Sequence, residues 1–184
     1  MNSPLRFASF AVRCIAILSM TVVLHGGTLA AQQPDSRKQI EPRPSSEAQL
    51  AKGIINFDDL RMDVEKDAAV TEDDVTDRIK EKISGRTVKL KGYMLPSTVF
   101  QNKNIKAFVL VRDNLECCFG PGAAIFDCVY INMVGDNSAE FKRTPVTVEG
   151  RFEVDMETYK YPGGKGPRGA SHLAIFKMSA TSVK

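Results

Sequence analysis

Residues 144–154, TPVTVEGRFEV, alternate between apolar and polar side chains. The even positions from 146 to 154 are valine, glycine or phenylalanine, and the odd positions from 147 to 153 are polar or charged. A period of two predicts a strand with one face in a core and the other in water. Gly150 lies in mid-strand, where a barrel often needs a bulge or a sharp bend.

Four further segments have strand-like patterns, which makes five predicted strands together with residues 144–154. They lie at about 86–95, 107–113, 128–134 and 171–183. Gly92 is a second mid-strand glycine, and residues 107–112 are nearly all apolar, as expected of a strand buried on both faces. Five such strands predict an OB-like β-barrel. A two-sheet sandwich is the alternative, although five strands are few for it.

One helix is predicted before the strands, at about 72–84. Val75, Ile79 and Ile83 recur at the spacing of one helix face. Thr71 and Gly85 are typical start and stop residues. The fold class is therefore mainly β, a five-stranded OB-like barrel with one N-terminal helix, or small α+β overall.

The N-terminus has the pattern of a secretory signal peptide over residues 1–30. Arg6 and Arg13 precede or border an apolar run of 11 residues, Cys14 to Leu24. This run is short for a membrane span, which needs about 20 apolar residues. Small residues follow, and cleavage is expected after Ala30. An uncleaved anchor is the alternative. Export places the protein in the periplasm, the cell envelope or outside the cell, with membrane contact only through the leader before cleavage.

A polar, proline-containing stretch predicts a disordered linker at 31–52. Residues 53–184 then form a single domain. Removing Arg6 and Arg13 with the leader leaves 23 basic and 22 acidic residues, a net charge of +1. Such a domain has no large electrostatic attraction for nucleic acid, so nucleic acid is not an expected partner.

Several short motifs carry a resemblance to a known family. They are Phe57-Asp-Asp-Leu60, Gly92-Tyr-Met-Leu-Pro96, Phe108-Val-Leu-Val-Arg112, Glu116-Cys-Cys-Phe-Gly-Pro121 and Val146-Thr-Val-Glu-Gly150. Together they resemble the exported bacterial domain of unknown function 3299, in the version with a Cys-Cys-Phe-Gly motif. The resemblance covers about residues 53–184 and implies an OB-like fold in the cell envelope, without an established reaction. Some members are lipoproteins with transporter neighbours, but this chain lacks the lipoprotein cysteine.

Three cysteines remain after the leader: Cys117, Cys118 and Cys128. The loop between them contains Pro121-Gly122, a type II turn sequence that can fold Cys128 back toward the other two. In an oxidising compartment we expect a disulfide, worth about 3 kcal/mol in the chain-entropy model. The alternative is a thiolate site for zinc or copper.

A metal site would need a fourth ligand, from His172, Asp127 or Glu116. The third hypothesis is thiol–disulfide chemistry, for which Arg112 or His172 would lower a thiol pKa. The sequence contains no Cys-x-x-Cys motif, nucleotide-binding loop, nucleophile elbow or zinc-protease motif. No catalytic residues are therefore assigned.

The second candidate loop, residues 155–170, joins strands four and five, a position that OB folds use for binding. It interleaves aromatic rings with positive charges, a mixture that suits glycans and anionic groups. These residues are Tyr159, Lys160, Tyr161, Lys165 and Arg168. The alternative is a solvated glycine-rich hairpin. We therefore predict a non-enzymatic binding or accessory module whose partner is an envelope protein, a transporter component, a glycan or an anionic lipid headgroup.

Overall fold

The computed structural model describes residues 43–65, 68–113, 123–166 and 169–184. Six strands lie in this part of the chain: β1 (Ile54–Ile55), β2 (Thr87–Met94), β3 (Ala107–Val111), β4 (Cys128–Met133), β5 (Val146–Val154) and β6 (Phe176–Val183). One short α-helix, α1, spans Glu47–Ala51. No helix in the described ranges has the length and apolar character of a bilayer span.

Strands β2 to β6 close into a barrel. The order is β2-β3-β4-β6-β5, and β5 pairs again with β2. The β4–β6 pairing is parallel and the other four are antiparallel, whereas β1 adds a short parallel pairing to the outside of this ring. This topology confirms the predicted mainly β, five-stranded barrel. Its order matches the OB-like arrangement expected from the sequence.

The two mid-strand glycines lie where the barrel bends. β2 pairs with β5 as far as Gly92 and with β3 immediately after it. A Cβ on Gly92 would lie 2.7 Å from the carbonyl oxygen of Val111. The β5–β6 register shifts next to Gly150, where a Cβ would lie 2.6 Å from Cα of Ala180 and closer still to the Ser179 carbonyl. Only glycine fits such close backbone approaches.

The apolar face predicted for residues 144–154 fills the barrel. Val146, Val148 and Phe152 are fully buried, and the Phe152 ring lies 5.4 Å from that of Phe176 on the neighbouring strand. Burying a side chain of this size contributes about 1.5–3 kcal/mol. The barrel interior is therefore a packed core.

The predicted helix at about 72–84 is replaced by two shorter segments. Glu72–Asp74 form a 3₁₀ turn and Arg78–Ile83 a single π-helical turn. The Asp74 carboxylate accepts hydrogen bonds from the backbone and hydroxyl of Thr71, both at 2.7 Å, which closes a tight turn. Val75 is extended after it, and β-branched residues favour helix weakly. The apolar side chains of this region are nevertheless buried, as predicted.

Residues 43–52, which we expected to be part of a disordered linker, are ordered. Ser46 and Gln49 form a capping box at the start of α1, whose Leu50 is buried. The fully buried carboxylate of Asp59, in the 3₁₀ turn Phe57–Leu60, joins this segment to the π-helical turn. It accepts hydrogen bonds from the Ser45 backbone at 2.8 Å and from the Arg78 guanidinium at 2.7 Å. A buried charge of this kind needs such partners.

Candidate functional site

The two loops singled out in the sequence leave the barrel at the same end. β3 and β5 are both antiparallel to β2 and therefore run in the same direction. The β3–β4 loop, which contains the cysteine motif, and the β5–β6 loop accordingly start at one end of the barrel. We call it the cysteine end.

Cys128 begins β4 at the cysteine end, half-buried and opposite Val111 of β3. Cys117, Cys118 and Glu116 lie outside the described residues. The predicted disulfide and the zinc or copper site therefore stay predictions. Within the described ranges, no group of three or more histidine, cysteine, aspartate or glutamate side chains is arranged to hold a metal ion.

Arg112 lies at the base of the cysteine loop, between two carboxylates. Its guanidinium lies 2.9 Å from Asp58 Oδ1 and 3.6 Å from Asp127 Oδ1. Both carboxylates are at most 13% exposed, which strengthens the attraction relative to a surface pair. Arg112 therefore balances one of these two negative charges and joins three chain segments. This arrangement disfavours the hypothesis that its charge lowers a thiol pKa.

His172 is buried and both of its ring nitrogens are hydrogen-bonded. Nε2 lies 2.8 Å from the carbonyl oxygen of Met156 and must carry the proton, because a carbonyl only accepts. In the neutral ring, Nδ1 then accepts from the Ser171 hydroxyl, 2.7 Å away. The Ser171 oxygen also accepts from the backbone N–H of Val70 at 2.9 Å. A metal ion bound to either ring nitrogen would have to displace one of these partners. The arrangement therefore favours a structural role for His172.

The β5–β6 loop folds back on itself as a short antiparallel pair. Lys160 bridges to His172, the Tyr161 N–H donates to the Ser171 carbonyl at 3.0 Å, and the Leu173 N–H donates to the Tyr159 carbonyl at 2.8 Å. Residues near 171–173, which the sequence assigned to the last strand, therefore pair with the loop instead of the barrel. This pairing fixes the backbone at Tyr159, Lys160 and Tyr161.

Tyr159 lies against Tyr130, two positions after Cys128. The ring centroids are 4.3 Å apart and the planes are tilted by 32°. Burial, the proximity of Tyr130 and Asp155, and a hydrogen bond with Tyr130 raise the pKa of Tyr159 to about 12. This contact joins the β5–β6 loop to the strand that follows the cysteine loop.

The other residues predicted for the β5–β6 loop differ in how much of each side chain is exposed. Lys160 and Lys165 are exposed, whereas Tyr161 is half-buried. Lys160 lies 3.9 Å from the Glu157 carboxylate, a loose surface pair that contributes little. Arg168 lies outside the described residues.

Asp155 anchors the start of this loop to the barrel. Its carboxylate accepts hydrogen bonds from the backbone and hydroxyl of Thr158 at 2.9 and 2.7 Å, and from Lys177 of β6 at 3.0 Å. Burial alone would raise the pKa of Asp155, but these bonds, with one from the Glu157 backbone, hold it well below its usual range. The bond with Asp155 in turn raises the pKa of Lys177. Asp155 was not among the residues predicted from the sequence, although aspartate three positions before threonine after a strand is a turn signal.

A cleft of about 850 Å³ lies beside the anchored loop. One wall is formed by β5 and Lys177, which lies opposite Tyr130 in the β4–β6 pairing, so the cleft adjoins the tyrosine pair. Its charged lining residues are Glu72, Arg151, Glu153, Asp155, Glu157, Lys160 and Lys177. The cleft therefore presents both signs of charge. The sequence analysis did not find it, since its walls come from segments far apart in the chain.

The fold and this site define a small OB-like barrel with loops and a polar cleft gathered at one end. The chain belongs to the DUF3299 family of proteins of unknown function, whose profile matches residues 29–183. It is similar to a DUF3299 family protein from Pseudomonas aeruginosa PAO1 known from a 2.45 Å crystal structure, with 23% identity and a TM-score of 0.41. That alignment covers 55% of this chain and 61% of the other, less than two thirds of its length. The comparison with curated proteins finds no match.

Proposed function

We propose that this protein is an exported, non-enzymatic binding or accessory module of the cell envelope. Its binding surface is the cysteine end, formed by the Cys117–Asp127 loop, the β5–β6 loop and the adjoining cleft. The observation that carries the proposal is the contact of the Tyr159 ring with the Tyr130 ring, which holds the β5–β6 loop against β4 two residues after Cys128.

The polar groups nearest the cleft support binding over catalysis. Ser171 and His172 are the adjacent serine and histidine of this site, but the serine oxygen already accepts a backbone N–H and the ring's second nitrogen is bonded to a carbonyl. A hydrogen bond from a serine hydroxyl to a histidine nitrogen activates the serine only where a substrate reaches both groups. Both residues are also at least 94% buried, so they serve better as a scaffold for the cleft wall.

The chemistry of the cleft favours an envelope glycan as the ligand. Tyr159 and Tyr161, on either side of Lys160 in the chain, are half-buried and offer aromatic surface next to the cleft, and the exposed Lys160 is one of the residues that line it. Aromatic faces pack on sugar rings, while carboxylates and ammonium groups bind hydroxyl and charged substituents. A cleft with both signs of charge fits a glycan that carries both amino and carboxyl groups.

Titration of the full chain with soluble envelope glycan fragments, followed by calorimetry, tests the proposal. We expect Tyr159→Leu and Lys160→Ala each to weaken binding about fivefold or more, because each removes a contact worth about 1 kcal/mol. Lys103→Ala, at the other end of the barrel, is the matched control and should leave affinity unchanged.

Two results would contradict the glycan assignment: the absence of any heat of binding, or equal affinity in all three variants. If crosslinking through the β5–β6 loop captures an envelope protein while glycans do not bind, the module is an accessory subunit instead.

Export of the protein has its own test. N-terminal sequencing of protein from the envelope fraction should begin at Ala31, and a chain that begins at Met1 would support the uncleaved anchor.

A further inference from the structure

The end of the barrel opposite the cysteine end carries an exposed phenylalanine. β2 and β4 both finish there, so the β2–β3 loop (95–106) and the β4–β5 loop (134–145) lie together. Phe100 is 97% exposed, compared with 55% for Leu173 and 40% for Ile54, the other exposed large apolar side chains of the described residues. An aromatic ring held fully in water has a free-energy cost that burial would remove.

The loop that carries Phe100 is braced. The Thr98 hydroxyl donates to the Leu95 carbonyl at 2.8 Å and accepts from the Val109 N–H at 3.1 Å. Beyond Phe100, Asn104 adopts a positive φ of 54°, and its carbonyl accepts from the Gln101 side chain at 2.9 Å. The backbone on both sides is therefore fixed, and the outward position of Phe100 is part of the loop's built conformation.

The second loop is bonded to the first and adds positive charge to this end of the barrel. The Lys106 ammonium also donates to the carbonyl oxygens of Gly135 and Asn137, at 3.2 and 2.9 Å. Ile105 and Ala139 exchange backbone hydrogen bonds, and the Phe141 N–H donates to the Asn102 carbonyl at 2.9 Å. Together the two loops contain four cations and two acids. These residues are Lys103, Lys106, Lys142, Arg143, Asp136 and Glu140, all exposed. None of the four cations forms an ion pair with a carboxylate in the described part of the chain.

We propose that this end docks onto an anionic phospholipid bilayer, with Phe100 inserted at the interface and the surrounding cations at the lipid phosphates. Peripheral membrane binding uses this combination of an apolar side chain and positive charge. The core of a protein–protein interface is instead depleted of lysine, and a single ring is a small contact for a stable partner surface. The positive charge on the two loops at this end therefore favours a lipid surface.

A single-tryptophan variant gives a local measurement. The chain contains no tryptophan, so Phe100→Trp creates one fluorophore at the loop tip, and Leu173→Trp creates one at the cysteine end as the matched control. Because each signal reports only its own surroundings, the full chain can be used even if its apolar N-terminal run also associates with lipid. The probes are vesicles of phosphatidylglycerol and phosphatidylcholine, and vesicles of phosphatidylcholine alone.

We expect the emission of Phe100→Trp to shift to shorter wavelength with phosphatidylglycerol vesicles and to be quenched by brominated lipid, with no such change in Leu173→Trp. A further Lys103→Gln change should raise the lipid concentration needed for half of the shift about fivefold, the equivalent of about 1 kcal/mol. Lys80→Gln, which removes an exposed charge elsewhere, should not.

The proposal is overturned if the Phe100→Trp emission is unchanged by anionic vesicles, or if Leu173→Trp responds equally. An equal response to vesicles of phosphatidylcholine alone would remove the role of the cations and also overturn it. Crosslinking of the loop to a protein without any emission change would assign this end to a protein partner instead.

Discussion

Asp155→Asn should release the β5–β6 loop from the barrel. The carboxylate accepts hydrogen bonds from Thr158, Glu157 and Lys177, at distances of 2.7 to 3.2 Å. The side chain is 13% exposed, so water replaces these partners poorly. Hydrogen bonds to charged groups contribute about 1.5–3 kcal/mol. Because an amide keeps some of them, we expect a loss of about 2 kcal/mol in the free energy of unfolding at pH 7, measured by urea denaturation followed by circular dichroism.

The stability cost of Asp155→Asn should also depend on pH. The pKa of folded Asp155 lies below its value in the unfolded chain, which is about 3.9. The carboxylate therefore contributes its stability above about pH 3.9, and the contribution decreases as the pH falls toward the folded pKa. The difference between wild type and Asp155→Asn should be full at pH 7 and smaller at pH 2.

The matched control is Asp136→Asn, an exposed aspartate on the β4–β5 loop, which should change stability by less than about 0.5 kcal/mol. The reasoning would be refuted by an equal cost of Asp155→Asn at pH 7 and pH 2. A cost as small as that of the control at pH 7 would refute it as well.

Three further predictions concern the core, the N-terminal segment and the tyrosine pair. Gly150→Ala should cost about 3 kcal/mol or more, since its methyl group would overlap the backbone of β6; a normal melting temperature would contradict this. Arg78→Met leaves the buried Asp59 carboxylate without its cation and should cost about 3 kcal/mol in chemical denaturation, whereas a neutral effect would show that the pair is dispensable. Tyr159, with its pKa of about 12, should ionise near that pH in an ultraviolet titration and should ionise earlier in Tyr130→Phe; because its folded pKa is raised, stability should fall between about pH 10 and 12.

The barrel could be predicted from the sequence because its signals are local. The alternation at residues 144–154 decides which side chains enter the core, and it does so without reference to any partner strand. Gly92 and Gly150 are also readable, since a glycine inside a strand marks a bend or a close backbone approach. Burial of Val75, Ile79 and Ile83 was likewise predicted correctly, although Val75 is extended, because apolar side chains are driven into the core whatever the local backbone.

The remainder depends on contacts between distant residues. Ser171 and His172 have a strand-like pattern, but their pairing partner is the loop residue pair Lys160 and Tyr161, and periodicity does not identify a partner. The ordered start of the domain depends on Asp59, whose partners lie 14 and 19 positions away in the chain. The bond from Asp155 to Lys177 and the cleft beside it arise in the same way.

The two proposed surfaces lie at opposite ends of one closed barrel and should act independently. β6 has eight residues, a length of about 26 Å at about 3.3 Å per residue, and a strand tilt of about 40° leaves about 20 Å between the ends. Energetic effects of substitutions this far apart, with no shared contacts, generally add. Tyr159→Leu should therefore leave the vesicle response of Phe100→Trp unchanged, and Phe100→Ala should leave glycan affinity unchanged. Coupling between them would mean that one ligand spans the outer face of the barrel, and the division of the molecule into two ends would be wrong.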